Sequence, residues 1–357
     1  MPSSLGVPKS EIETPALLVD LDAIEHNLRR MSQFFEGQKS KLRPHFKNHR
    51  VLKLAALQME QGAIGITCAS LSQAEKLVHS GIRNVLIANE IAGEASLRCF
   101  IALSREAPVM IAVDNVAVVQ DLARFAGKDA ADVHLVVDID LGLQRCGVSP
   151  GEQAAVLARH VVDRGLHLKG IMGYEGQLQP IEPGPEKRLR VMQAMQALVD
   201  SKKRIEAASI PVEIVSCGGT GDYAIAGTHA GVTEIQAGSY LLMDTWYAPF
   251  APEFRLSLSV LATVISKTPG QRIVVDSGVK ALSGQRGLPS VKDIAGLRLR
   301  ALHAEHAPID IVDPRVNVEV GDKIEVSVHY HDGTMQLHHR MYGMRDGRVE
   351  TIFEIEH

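Results

Sequence analysis

Between Lys41 and Asp244, short runs of β-branched and apolar residues alternate with longer stretches whose apolar positions recur at helical spacing. The strand candidates are Leu42 to His45, Ile64 to Ala69, Asn84 to Ala88, Val109 to Val113, His134 to Ile139, Leu168 to Gly173, Val212 to Ser216 and Glu234 to Gly238, eight in all. Helical spacing fills Val51 to Gln61, Leu71 to Ser80, Val116 to Phe125, Glu152 to Arg164 and Glu186 to Ala208 between them. Gly62, Gly81, Gly127 and Gly165 stand where helices end. Eight strand–helix units in about 200 residues predict a (β/α)8 TIM barrel, whose chemistry gathers at the C-terminal ends of the strands.

Past Trp246 the pattern changes. Arg255 to Thr268, Arg272 to Asp276, Gly296 to Ala304, Lys323 to Val328 and Met335 to Tyr342 read as strands separated by Gly, Pro and Asp turns, without a convincing helix. Thr14 to Asp20 is strand-like but is separated from the first barrel strand by a helix. The expectation is a barrel over 21–245 and a second, all-β domain over 246–357 that takes in the strand at 10–20.

Composition narrows the class. The 357 residues are 45% hydrophobic and carry a net charge of −4, which describes a globular chain rather than a disordered one. Negative charge with 4% aromatic residues disfavours nucleic acid as a partner. No window is apolar enough to span a membrane, and Met1 to Thr14 carries Lys9, Glu11 and Glu13 where a signal peptide needs an apolar core, so a cytoplasmic protein is expected. Cys68, Cys99, Cys146 and Cys217 are widely spaced, which predicts buried reduced thiols rather than disulfides.

Residues just beyond the predicted strands are unusually polar. Strand one ends in Arg43-Pro44-His45-Phe46-Lys47-Asn48-His49, where Lys47 is either a solvated surface lysine or a desolvated amine that attacks carbonyls. Strand five leads to Arg145, either an ion-pair partner of Asp138 or Asp140 or a donor to an anionic oxygen. Strand six ends at Tyr174, a phenol that either packs or reaches the site. Strand seven ends in Gly218-Gly219-Thr220-Gly221, whose backbone N–H groups are candidates for a phosphate. A lysine, an arginine and a phosphate cradle on one rim are what pyridoxal 5'-phosphate (PLP), a phosphorylated aldehyde, requires.

At this point the chain resembles the fold-type III PLP enzymes of the alanine-racemase barrel class, and within them the D-threonine aldolase and D-serine dehydratase family. The resemblance runs from Thr14-Pro15-Ala16-Leu17-Leu18-Val19-Asp20 to the C-terminal strands and is most specific at Arg43-Pro44-His45-Phe46-Lys47. It implies that Lys47 binds PLP covalently, Arg145 faces the phenolic oxygen, Tyr174 flanks the ring, Gly218, Gly219, Thr220 and Gly221 hold the phosphate, and Tyr240 lies near the cofactor. Gly238-Ser239-Tyr240, Asp244, Asp276 to Lys280 and His306 also resemble family segments. A homodimer acting on a small amino acid is implied as well.

The resemblance further implies a divalent metal (Mn, Mg or Zn) held near the C-terminus by a histidine and a cysteine or aspartate two positions on. Here Val328-His329-Tyr330-His331-Asp332-Gly333-Thr334 puts Tyr330 in the histidine's place. A regular strand would offer His329 with His331 or Tyr330 with Asp332, and a bulge would join His329 to Asp332. A family histidine six residues after the strand-six tyrosine is replaced by Pro180, so the base for a substrate hydroxyl is sought at His45, His49, a water held by Gln177, or near His329. D-threonine-aldolase-type cleavage of β-hydroxy-D-amino acids is the leading expectation. The alternatives are β-elimination as in D-serine or 3-hydroxy-D-aspartate dehydratases, racemisation, a non-catalytic PLP carrier and a PLP-independent metal hydrolase.

Overall fold

The structure is a computed structural model that describes residues 5–357; the first four residues of the charged N-terminal segment lie outside the described residues. Two compact units emerge, one comprising residues 31–47 and 52–238, the other residues up to Arg30, Asn48–Val51 and Ser239–His357. After β1 (Ala16–Asp20) and α1 (Leu21–Glu36), the first unit carries the strands β2 (Lys41–Leu42), β3 (Ile66–Cys68), β4 (Val85–Ile87), β5 (Val109–Val113), β6 (His134–Ile139), β7 (His167–Gly173), β8 (Ile214–Cys217) and β9 (Glu234–Ile235). Between them run α2 (Leu52–Glu60), α3 (Leu71–His79), α4 (Glu94–Glu106), α5 (Val116–Ala126), α6 (Glu152–Asp163), α7 (Pro185–Glu206) and the short α8 (Tyr223–Ala226).

The eight strands pair in parallel in the order β2-β9-β8-β7-β6-β5-β4-β3. The seam closes where His45 bridges Thr67, with the Ile64 N–H donating to Leu42 O at 3.0 Å and the Thr67 N–H to Pro44 O at 2.9 Å. The expected (β/α)8 barrel is therefore formed. Local sequence explains the helix ends: Ser70 caps the Gln73 N–H at α3, Asn115 caps the Ala117 N–H at α5, and Pro185 opens α7. Gly62, Gly81, Gly127 and Gly165 all adopt positive φ at helix ends.

A buried ion pair ties the first strand to the last. Arg43, 1% exposed, forks onto Glu234 at 2.8 and 2.6 Å and sends its remaining nitrogen to the Asn84 carbonyl and side-chain oxygens at 3.1 and 3.0 Å. Gly65 makes room for it, since a Cβ there would lie 2.2 Å from the guanidinium. Leu86, Met110, Ala112, Val136 and Met172 cluster on one face of the sheet. Along β6 and β7, the same alternate positions continue to Asp138 and Tyr174 at the strand ends.

The second unit is a mostly antiparallel sheet. Its strands are β10 (Leu258–Thr268), β11 (Arg272–Val275), β12 (Ser290–Val291), β13 (Leu297–Leu299), β14 (Ala307–Ile311), β15 (Lys323–Ser327), β16 (Arg340–Arg345) and β17 (Arg348–Glu354), with a single helical turn, α9 (His331–Met335). The N-terminal β1 lies between β10 and β16 in this sheet. Several readings needed correction. The strand expected from Met335 begins only at Arg340, because Thr334 turns back to bond the Tyr330 carbonyl through both its N–H and its hydroxyl. Strand β14 escaped notice because Pro308 argues against a strand, and β17 despite the Asp346-Gly347 turn that makes it a hairpin with β16. Only Cys68 and Cys217 are buried, whereas Cys99 is exposed and Cys146 half-buried; all four thiols are free. No helix among the described residues is long and apolar enough to cross a membrane.

Replacing Arg43 with Met strands the Glu234 carboxylate in the barrel wall and should cost about 3–5 kcal/mol in urea unfolding. The double substitution Arg43→Met with Glu234→Leu should recover much of that loss. A single variant as stable as the parent would contradict the role given to this pair.

Candidate active site

The C-terminal ends of the parallel strands form one rim of the barrel, and the chain places most of its reactive groups there. Beyond β2, Phe46–Asn48 forms one turn of 3-10 helix that carries Lys47, half-buried. Among the described residues no carboxylate pairs with its amine. The Lys47 N–H donates to His45 Nδ1 at 3.4 Å, and the Val51 N–H donates to His49 Nδ1 at 3.1 Å. Each contact makes Nδ1 an acceptor, so each neutral ring carries its proton on Nε2 and presents a donor there. His49 is also fully buried. Neither ring is thus arranged to take a proton from a substrate hydroxyl at Nε2.

Beyond β6 and β7, the exposed Arg145 guanidinium lies 5.9 Å from the centre of the half-buried Tyr174 ring. An acidic group gathers on the same rim. One ligand-type atom each from Glu90, Asp114 and Cys146 fall within 4.8 Å of one another, an arrangement able to accept a cation. Burial, and then the neighbouring Glu90, push the Asp138 carboxyl up to about 8; burial, and then Glu90, push the Cys146 thiol up to about 11. Arg145 opposes both shifts and so faces a net negative environment.

Beyond β8 comes the glycine-rich loop. Gly218 adopts φ +77°, the Gly219 N–H donates to Asp222 Oδ1 at 2.8 Å, and the Gly221 N–H donates to Gln179 Oε1 at 2.9 Å. Gln179 Nε2 donates to Asp222 Oδ2 at 2.5 Å, and Lys187 Nζ donates to the Gln179 and Ile181 carbonyls, each at 3.0 Å. Two N–H groups expected to point at a phosphate are therefore bonded to the protein's own side chains. They shape the loop, while Gly218 and Thr220 lie buried alongside them. A Cβ on Gly219 would stand 2.7 Å from Gln179 Oε1, so the close approach requires glycine.

In the second unit, Tyr240 is buried against Phe254, with ring centres 5.7 Å apart. Asp244, 1% exposed, organises the turn that follows β15. Its Oδ1 accepts the Tyr247 N–H at 2.7 Å, and its Oδ2 faces the His331 N–H at 2.8 Å and His331 Nδ1 at 2.6 Å. His331 Nε2 lies 3.2 Å from Asp332 Oδ1, and Asn48 Nδ2 donates to that oxygen at 2.8 Å. Burial alone would lower the His331 pKa, but Asp332 and Asp244 together raise it to about 10. His331 is thus a cation between two carboxylates at neutral pH. His329 stands apart: Thr245 Oγ1 lies 2.7 Å from its Nδ1, and its Nε2 lies 3.2 Å from the Arg286 carbonyl. The Arg286 guanidinium lies 3.7 Å from the Trp246 ring centre and 4.8 Å from that of Tyr330. The regular strand that would have paired His329 with His331 is absent, because α9 begins at His331.

Several contributors were missed from sequence. Glu90 and Asp114 could have been found by the criterion that found Lys47 and Arg145, a polar residue just past a barrel strand. Glu175, just past β7, meets the same criterion, whereas Gln179 and Lys187 carry no such signal. Pro180 is exposed, and His306 is exposed in the second unit.

The sequence family described as "Alanine racemase, N-terminal domain" matches residues 19–245, and the one described as "Putative serine dehydratase domain" matches residues 257–344. The D-threonine aldolase of an Arthrobacter species is 32% identical over 361 aligned positions, covering 99% of this chain and 95% of that protein. The 3-hydroxy-D-aspartate aldolase of Paracoccus denitrificans is 30% identical over 367 positions, covering 99% and 94%. The crystal structure of D-threonine aldolase from Filomicrobium marinum matches with a TM-score of 0.95 at 32% identity, covering 99% of this chain and 98% of that one.

Proposed function

This chain belongs to the alanine racemase N-terminal domain family, and we propose that it is a PLP-dependent lyase that cleaves β-hydroxy-D-amino acids to glycine and an aldehyde. The observation that carries the reading is the Lys47 amine, which lies beyond the first barrel strand, without a carboxylate partner among the described residues, on the rim that also bears Arg145, Tyr174 and the Gly218–Gly221 loop. The similarity to two aldolases over nearly the full length supports the substrate class.

The donor set fits the cofactor by its chemistry. A primary amine suits an aldehyde, a guanidinium suits a phenolic oxygen, and a loop of glycines with one threonine lets the backbone come close to a phosphate. When bound, PLP supplies a conjugated ring that accepts the electron pair of the broken bond. The chain's own residues do the rest. Lys47 Nζ would hold the cofactor and would be placed to return a proton to the α-carbon, Arg145 would face the phenolic oxygen, and Tyr174 would border the ring. The substrate's Cα–Cβ bond breaks, its β-hydroxyl proton passes to water at the rim, the β-carbon leaves as a carbonyl, and the α-carbon takes up a proton to give glycine.

A divalent metal fits His331 and Asp332. Asp244 beside Nδ1 fixes the tautomer that exposes the Nε2 lone pair, an arrangement common among metal-binding histidines, and Asn48 steadies the Asp332 oxygen. Such an ion would displace the proton that His331 otherwise keeps at neutral pH. His329 directs both nitrogens at protein oxygens and stands apart from this pair.

Lys47→Ala should remove the visible absorption of bound PLP, and borohydride should no longer attach the cofactor to the peptide containing residue 47. A retained, still reducible band would contradict the assignment. Adding diamagnetic Zn²⁺ to the metal-free protein at pH 7 should release a proton from His331, seen as a loss of its protonated imidazole signal by NMR. Asp244→Asn should weaken Mn²⁺ binding about 10–100-fold. An unchanged His331 signal would place the ion elsewhere.

A further inference from the structure

Glu175 follows Tyr174 at the end of β7 and is fully buried, and no donor meets either of its carboxyl oxygens in full hydrogen-bond geometry, though its own backbone N–H and that of Gly218 approach them. The group that faces it is another carboxyl, that of Asp222, itself 2% exposed. Asp222 is well supplied: its oxygens accept the Gly219 N–H at 2.8 Å and Gln179 Nε2 at 2.5 Å, and the Lys187 ammonium lies nearby. Two acceptor-only carboxylates cannot sit together away from water unless a proton lies between them. The asymmetry of their surroundings says which carries it. Asp222, with well-formed donors on both oxygens, is the ionised member, and Glu175, approached only by loosely placed backbone N–H groups, is the acid.

We propose that Glu175 and Asp222 share one proton beneath the Gly218–Gly221 loop and act as a positioning pair that sets the grip of this loop on the cofactor's phosphate. The inference rests on the PLP reading above. Asp222 holds Gly219 directly, and through Gln179 it holds Gly221, so the pair governs the loop's backbone from below. With one proton the pair carries a single negative charge, matched by Lys187. Loss of that proton places a second charge in a closed site beside a phosphate dianion, and the pair must separate.

The surrounding groups agree. Burial, and then the Asp222 charge, raise the Glu175 carboxyl well above the usual range. From β8, the buried Cys217 thiol is pushed up by burial and then by Glu175, Asp222 and Glu234, so it stays neutral. Glu234 on β9 is taken up by Arg43, and Lys187 on α7 is the cation of the group. Because the raised group is an acid held neutral, the grip is complete at neutral pH and lost as pH rises through the ionisation of the pair.

The test measures the dissociation constants of PLP and of pyridoxal, which lacks the phosphate, as functions of pH. The wild-type chain, Glu175→Gln and Glu175→Leu are compared. In the wild type, the advantage of PLP over pyridoxal should fall by up to about tenfold per pH unit once the shared proton leaves. Glu175→Gln supplies an amide N–H in place of the proton, so it should keep the neutral-pH advantage within about threefold and lose the alkaline fall. Glu175→Leu should lose the advantage at every pH. An alkaline fall that persists unchanged in Glu175→Gln, or a full advantage in Glu175→Leu, overturns the inference while leaving the PLP reading intact. Equal affinity for PLP and pyridoxal in the wild type overturns the loop's phosphate role, and the inference with it.

Discussion

Arg43 is the constraint on which the barrel depends. A guanidinium removed from water is tolerated only where every donor is matched, and this one reaches both oxygens of Glu234 and two oxygens of Asn84. Those partners stand on the last strand and just before β4, so the first strand is fixed on both sides. Pro44, His45, Phe46 and Lys47 follow at once, and the direction of the lysine is inherited from the buried arginine four residues earlier. Gly65 belongs to the same device, since any side chain there would displace the guanidinium.

The functional rim is built on the opposite principle, with charges left incompletely matched. Lys47 meets no carboxylate among the described residues, Asp138 is crowded by Glu90, and Glu175 is pressed against Asp222. Such arrangements hold protons where an exposed surface would release them, and they concentrate where chemistry is done. The His331 turn follows the same logic with the sign reversed, as two carboxylates keep an imidazole charged until something with greater positive charge replaces the proton.

The barrel was legible because its signals are local. A strand such as Val109–Val113 or His134–Ile139 is buried on both faces and reads as an apolar run, and glycines mark the helix ends. Lys47, Arg145 and Tyr174 were legible by position, just past such strands. What stayed hidden depends on contacts distant in sequence. Nothing near Asp222 announces that Gln179, 43 residues before it, will take the Gly221 N–H of the glycine loop away from a ligand. Nothing near His331 announces that Asp244 will convert an expected strand into a helical turn. Pro308 concealed a strand because the local rule against proline is overridden by pairing on both sides.

The central claim is that this chain breaks the Cα–Cβ bond of β-hydroxy-D-amino acids. The most direct measurement is product analysis with purified protein, PLP and Mn²⁺, supplied separately with D-threonine and 3-hydroxy-D-aspartate. The account predicts glycine from both substrates, with an equivalent amount of acetaldehyde from D-threonine. A 2-oxo acid with ammonia and no glycine would contradict it, because elimination would then be the reaction this site performs.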